Sequence, residues 1–117
     1  MKLDIIIEAR MSSSRLPGKV MLKVLGKPLL EHLINRLNKL KKINRIIIAT
    51  TKKKSDDEIV NLANKLSINF FRGSENDVLG RVVRAGKKYK VKNVINITSD
   101  CPILDTQILN RMINIFE

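Results

Sequence analysis

An α/β domain built on a parallel sheet with helices on both faces is the fold the sequence predicts, and three observations carry it. Short runs rich in aliphatic, β-branched residues recur at 3–7, 45–50, 68–71 and 93–98. Each is followed by a segment whose apolar residues return at helical spacing. The resulting order, strand and helix alternating to the end of the chain, calls for right-handed crossovers and parallel strands.

The first strand, at residues 3–7, has the apolar, β-branched character of a strand covered on both faces. Residues 10–27 read as a loop broken by Pro17, Gly18 and Gly26. Pro28 can open a helix at its first turn, and Leu29, Leu30, Leu33, Ile34, Leu37 and Leu40 give that helix one apolar stripe. Asn44 marks its end, and a second strand runs over 45–50. The run Ser55-Asp56-Asp57-Glu58 has the spacing of a capping box, with Glu58 placed to reach back to Ser55. A helix through Ile59, Leu62, Ala63 and Leu66 leads to a third strand at 68–71. After the polar loop 72–77, Asp77 can cap a helix carrying Val78, Leu79, Val82, Val83 and Ala85. The fourth strand, 93–98, closes on Ser99-Asp100-Cys101-Pro102, and Asp105 caps a last helix through Ile108, Leu109, Met112 and Ile113. No internal repeat appears. The chain reads as one domain over 1–117, stopping in or just after a helix like the first part of something longer.

Composition narrows the partners. The chain has 117 residues, 44% hydrophobic but only 3% aromatic, so its core is aliphatic. Lys and Arg number 23 against 11 Asp and Glu, a formal net charge of +12 that suits an anionic partner. Polynucleotide is not the expected one: the lysines cluster in short runs at element ends, and Tyr89, Phe70, Phe71 and Phe116 do not interleave with a basic patch. The joint richness in Ile, Lys and Asn is also what AT-rich coding favours. A single cysteine, Cys101, excludes an internal disulfide and suits a reducing compartment. With no leader pattern and no run of membrane-spanning length, the expectation is a cytoplasmic protein away from the membrane.

Two constellations carry chemistry. The loop after the first strand holds Arg10, Arg15 and Lys19 around Ser12-Ser13-Ser14. Ligands bind at the carboxyl ends of strands in open α/β sheets. Guanidinium forks, an ammonium, hydroxyls and backbone N–H groups together can cradle phosphates. The loop lacks the G-x-x-x-x-G-K-[ST] spacing of a Walker loop. By residue type it is either a phosphate grip or a solvated basic turn. Asp100, ending the fourth strand, is either a carboxylate for Mg²⁺ beside such phosphates or a turn residue before Pro102. Glu75 and Asp77 could assist a ligand, with helix capping the structural alternative for Asp77. His32 falls off the leucine stripe and reads as a surface residue; Cys101 lacks the neighbours of a metal or nucleophile site.

The run Ala9-Arg10-Met11-Ser12-Ser13-Ser14-Arg15-Leu16-Pro17-Gly18-Lys19 resembles the A-R-x-x-S-x-R-L-P-G-K signature of the cytidylyltransferases that activate acidic sugars. That family includes CMP-KDO synthetase, acylneuraminate cytidylyltransferase and the spore-coat polysaccharide biosynthesis F-type proteins. Gly26-Lys27-Pro28-Leu29-Leu30 resembles its next element. The stretches 71–81 (FRGSENDVLGR) and 98–102 (TSDCP) are closest to the F-type branch. Ser13 and Ser14 stand where the F-type loop more often has Gly and Thr.

The resemblance implies a Rossmann-like nucleotidyltransferase fold and the reaction CTP + sugar → CMP-sugar + pyrophosphate, in surface polysaccharide biosynthesis. It implies that Arg10, Arg15 and Lys19 hold the triphosphate and offset charge on the leaving group. Ala9, Arg10, Ser14, Lys19, Ser74 and Asp77 would border the nucleotide, and Asp100 would carry Mg²⁺. Family members are longer, and their second half supplies sugar contacts, a further metal-binding carboxylate and much of a homodimer interface. The sequence therefore reads as the truncated, nucleotide-binding half of the fold. The alternative is a non-catalytic nucleotide- or polyanion-binding module lacking the rest of the active site.

Overall fold

The computed structural model describes residues 3–12 and 16–99. Strand β1 (Leu3–Glu8) is followed by a 3-10 turn (Lys19–Met21) and a small hairpin, β2 (Lys23–Val24) and β3 (Lys27–Pro28). Then come α1 (Leu29–Leu37), β4 (Ile43–Thr51), α2 (Asp57–Lys65), β5 (Asn69–Gly73), α3 (Val78–Lys88) and β6 (Val94–Thr98). The main sheet has the order β5-β4-β1-β6, with every neighbouring pair parallel. The predicted α/β class and the parallel sheet with helices on both faces are both observed.

Alternation along the central strands explains the two layers. Ile5 and Ile7 of β1, with Ile46 and Ile48 of β4, face one side and pack with Leu30, Leu33, Ile34 and Leu37 of α1 and Ile59, Leu62 and Ala63 of α2. Ile6, Ile47 and Ala49 face the other side and pack with Val82 and Ala85 of α3. In-register pairs such as Ile5 with Ile46 and Ile7 with Ile48 keep like faces together, and a one-residue slip would turn both sets to the wrong layer.

Several expected details differ. Helix α1 ends at Leu37 rather than running through Leu40 towards Asn44; Leu40 stays buried from the turn beyond it. Strand β4 begins earlier, at Ile43, and β5 lies at Asn69–Gly73, so Arg72 and Gly73 belong to the strand. The stretch expected as loop contains β2 and β3, joined by Leu25 (φ +53) and Gly26 (φ +80). Positive φ at both central residues is the mark of a type I′ turn, which Gly favours and Leu does not. Periodicity cannot reveal strands of two residues. Ser55 is not the cap of α2, which starts at Asp57 with Asp56 in the cap position. His32 is half-buried at the surface, and its Nε2–H donates to the Val24 carbonyl (2.6 Å), fastening the hairpin to α1. The helix expected around 105–113 lies outside the described residues.

The lysine runs do sit on exposed surface: 39, 41–42, 52–54, 87–88, 90 and 92 are all exposed. Among the described residues, no helix is long and apolar enough to cross a membrane.

Ile48 is fully buried between α1 and α2. Ile48→Ala is expected to cost about 2–5 kcal/mol, read as a lower urea midpoint at unchanged slope. Leu25 is 92% exposed in a left-handed conformation. Leu25→Asn is therefore expected to raise stability by about 0.5–1 kcal/mol, measured in the same titration; a loss would contradict the turn assignment.

Candidate functional site

Parallel pairing brings the carboxyl ends of β1, β4, β5 and β6 to one edge. The chain proceeds outward from β1 to β4 to β5, then returns to place β6 on the other side of β1. The crossover helices change layer at the same reversal, α1 and α2 on one face and α3 on the other. The crevice of such a sheet opens where the strand order reverses, between the ends of β1 and β6. Ser99 N–H donates to the Glu8 carbonyl there (3.0 Å), extending the pairing by one residue.

The loop leaving β1 starts at this point. Ala9 is buried and its N–H bonds the Ala49 carbonyl (3.1 Å), so the strand is held until the loop departs. Arg10, Met11 and Ser12 are half-buried, and the Ser12 hydroxyl is buried without a hydrogen-bond partner among the described residues. Both peptide groups of Met11 are anchored. Its N–H donates to Asp56 Oδ1 (2.7 Å), and its carbonyl accepts from Gly18 N–H (2.8 Å). The second bond ties Met11 to Gly18, and Gly18 supplies the positive φ (+78) that turns the chain into the 3-10 segment holding Lys19.

The turn between β4 and α2 forms the second wall. Asp56 is completely buried, and its carboxylate accepts from the Thr51 hydroxyl as well as from Met11. Thr51 in turn accepts from Lys53 N–H (3.2 Å). Arg72, from β5, secures the same turn: Nε donates to the Thr51 carbonyl (2.7 Å), one terminal nitrogen to the Lys53 carbonyl (2.7 Å), and the other to Asp57 (2.8 Å).

The loop from β5 to α3 is the third wall. Asp77 caps α3 by accepting from Gly80 N–H (2.9 Å), and Ser74 Oγ accepts from Asp77 N–H (3.2 Å). Glu75 pairs with Lys53 (2.6 Å), bridging to the second wall. Arg81 is 1% exposed and donates to the Ser74 carbonyl (2.9 Å), while its Nε has no partner among the described residues. Burial pushes the Arg81 guanidinium below the ordinary arginine value; Glu8 opposes this, Arg10 adds to it, and Asp56 and Glu75 oppose it. Arg81 thus lies within electrostatic reach of groups from all three walls. A cleft of ≈ 630 Å³ opens between the second and third walls, lined by Thr51, Lys53, Phe71, Arg72, Ser74 and Glu75 among others.

Of the residues singled out from sequence, Ala9, Arg10 and Lys19 flank the first loop, and Ser74 and Asp77 lie on the third wall. Ser14, Arg15 and Asp100 lie outside the described residues. Asp77 has its carboxylate engaged as a helix cap, the structural alternative weighed for it. Sequence reasoning missed the second wall and Arg81. The available signals were two threonines following the apolar run 46–49 and an arginine within the apolar stripe of α3, between Val78 and Val82. Among the described residues, no three His, Cys, Asp or Glu side chains gather as a metal site. Neither Arg10 nor Lys19 is ion-paired with a carboxylate among these residues, whereas Lys53, Arg72 and Arg45 are.

Comparison with known proteins agrees with this geometry. The cytidylyltransferase family profile matches residues 5–117. The spore coat polysaccharide biosynthesis protein SpsF of Bacillus subtilis is 38% identical over 112 residues, covering 92% of this chain and 47% of that protein. An 8-amino-3,8-dideoxy-manno-octulosonate cytidylyltransferase of a Shewanella species is 32% identical over 127 aligned positions, covering 100% and 48%. Among solved structures, a cytidylyltransferase from Leptospira borgpetersenii superposes with a TM-score of 0.92 at 36% identity, covering 98% of this chain and 48% of its own. The chain spans about half the length of the relatives it matches. On the extent of the profile match and the agreement in fold, the chain belongs to the cytidylyltransferase family.

Proposed function

We propose that this chain forms the nucleotide-binding half of a CTP-dependent sugar cytidylyltransferase acting in surface polysaccharide biosynthesis, with an acidic sugar as acceptor. One observation carries the reading. At the reversal point of the sheet, Arg10 and Lys19 flank a loop whose Met11 is tied to Gly18, and neither is neutralised by a carboxylate among the described residues. Cations left unneutralised beside a switch-point crevice suit a triphosphate. The names of the relatives, a polysaccharide biosynthesis protein and a sugar-acid cytidylyltransferase, support the acceptor class. The alternative, a module that only binds polyanions, is not favoured by membership in a family of transferases.

In the reaction, a sugar hydroxyl oxygen bonds to the α-phosphorus of CTP as the bond to the β-phosphate oxygen breaks, giving CMP-sugar and pyrophosphate; the hydroxyl proton passes to solvent or a base. Arg10, Arg15 and Lys19 hold the triphosphate and offset the charge developing on pyrophosphate. Ala9, Ser14, Ser74 and the loop ending at Asp77 border the nucleotide. Mg²⁺ beside phosphates needs only one or two carboxylates from protein, and Asp100, one residue past Ser99 at the reversal point, has the chemistry to provide one. Bound there, the metal would neutralise phosphate oxygens. We place the reaction in the cytoplasm, where CTP is available, and expect sugar selection and any homodimer contact to depend on the part of the relatives' length that this chain does not span.

Titration calorimetry with CTP and Mg²⁺, against ATP and GTP, tests the reading: CTP should bind best, and no binding of any nucleotide would overturn it. Lys19→Ala and Arg10→Ala should each weaken CTP·Mg²⁺ by about 10-fold or more, the effect of losing a hydrogen bond to a charged group. Asp100→Asn should flatten the Mg²⁺ dependence of binding. Unchanged affinity in all three variants would refute the site assignment.

A further inference from the structure

We propose that Asp56 is a positioning residue, holding the loop after β1 in the shape that receives the nucleotide phosphates; this rests on the assignment of that loop as the phosphate site. A buried carboxylate is costly unless its oxygens are satisfied, and Asp56 has no exposed surface. Each oxygen is engaged: Oδ1 by Met11 N–H (2.7 Å) and Oδ2 by the Thr51 hydroxyl. Asp56 also occupies the cap position of α2, where an aspartate commonly accepts from the helix N–H groups, yet its side chain makes no capping bond. One of its acceptors serves a residue 45 positions earlier in the chain instead, and the other serves Thr51.

Met11 is the residue from which the loop hangs, since its carbonyl receives Gly18 N–H. Fixing the Met11 N–H therefore fixes the departure of the loop between Arg10 and Ser12. Thr51 is tied to Lys53 N–H and, through its carbonyl, to Arg72, so the far end of the strut is itself rigid. Arg81, within electrostatic reach, supplies opposite charge for the buried carboxylate. Asp56 itself, with no exposed surface, is not available to the ligand. It sets the loop before binding, which reduces the ordering cost that association would otherwise bear.

The test compares CTP·Mg²⁺ with CMP by calorimetry in the wild-type protein and in Asp56→Ala, Asp56→Asn and Thr51→Val. CMP lacks the β- and γ-phosphates and depends less on the loop. Asp56→Ala should weaken CTP·Mg²⁺ by about 10–100-fold and CMP by less than 3-fold. Asp56→Asn, which keeps an acceptor for Met11, should recover much of the loss. If the alanine variant is unfolded by circular dichroism, Thr51→Val decides, with an expected loss of about 3–10-fold confined to CTP. Equal weakening of CTP and CMP would mean a purely structural role and overturn the proposal, as would CTP affinity within 2-fold of wild type in the folded variants. Failure of the wild-type protein to bind any nucleotide would instead remove the phosphate-site reading, and this proposal with it.

Discussion

Everything at the carboxyl edge depends on β1 being hydrogen-bonded on both sides, to β4 and to β6. Ile5, Ile6 and Ile7 are buried on both faces, so the strand can neither slide nor rotate without exposing one layer. Its end is a fixed point, carried on by the Ala9 bond to Ala49 on one side and the Ser99 bond to Glu8 on the other. The reversal of strand order happens at this strand, so the most firmly held backbone in the sheet delivers the first loop to the crevice. The start of the loop inherits its position from an aliphatic core, and its described ends are held by the polar contacts of Met11.

Those polar contacts differ in weight. Exposed pairs such as Arg84 with Asp77 (3.8 Å) contribute little, about 0–1 kcal/mol at most. Buried groups are another matter. Asp56 and Arg81 are removed from water, and deleting one partner of a buried charged arrangement leaves the other uncompensated. Their placement between loops, rather than within the aliphatic layers, makes loop geometry the property most sensitive to them. The surface lysines that produce the +12 charge lie in exposed runs at element ends and have no comparable role in geometry.

The architecture was legible because its cause is local. Alternating β-branched runs and leucines at helical spacing state which face is buried, and β1, α1 and α3 fall where those patterns lie. Asp77 was legible as a cap for the same reason, its acceptor being three residues from the donor. The motif 9–19 pointed to the first wall of the candidate site, and 74–77 to the third. What escaped was non-local. Ser55-Asp56-Asp57-Glu58 satisfies the pattern of a capping box, and nothing within that window says that Asp56 will turn inward to Met11. Nothing local marks Arg81, because the carboxylates near it come from three other segments. The hairpin at 23–28 was hidden by its brevity and by a leucine at a turn position where glycine or asparagine would have signalled it.

The distribution of charge at the edge explains why so basic a chain still places carboxylates beside the proposed phosphate site. A loop built only of cations would repel itself before ligand arrived and would need ordering on binding. Here the acidic groups are matched to particular basic ones: Glu75 to Lys53, Asp57 to Arg72, and Asp56 and Glu8 to the field of Arg81. These matches fix the second and third walls and hold down the base of the first. Arg10 and Lys19 stand outside the matching among the described residues. The cations that order the protein are thus separate from those available to an anion. On the proposed reading, a triphosphate would be met without dismantling any of these contacts among the described residues, which is the condition for electrostatic preorganisation.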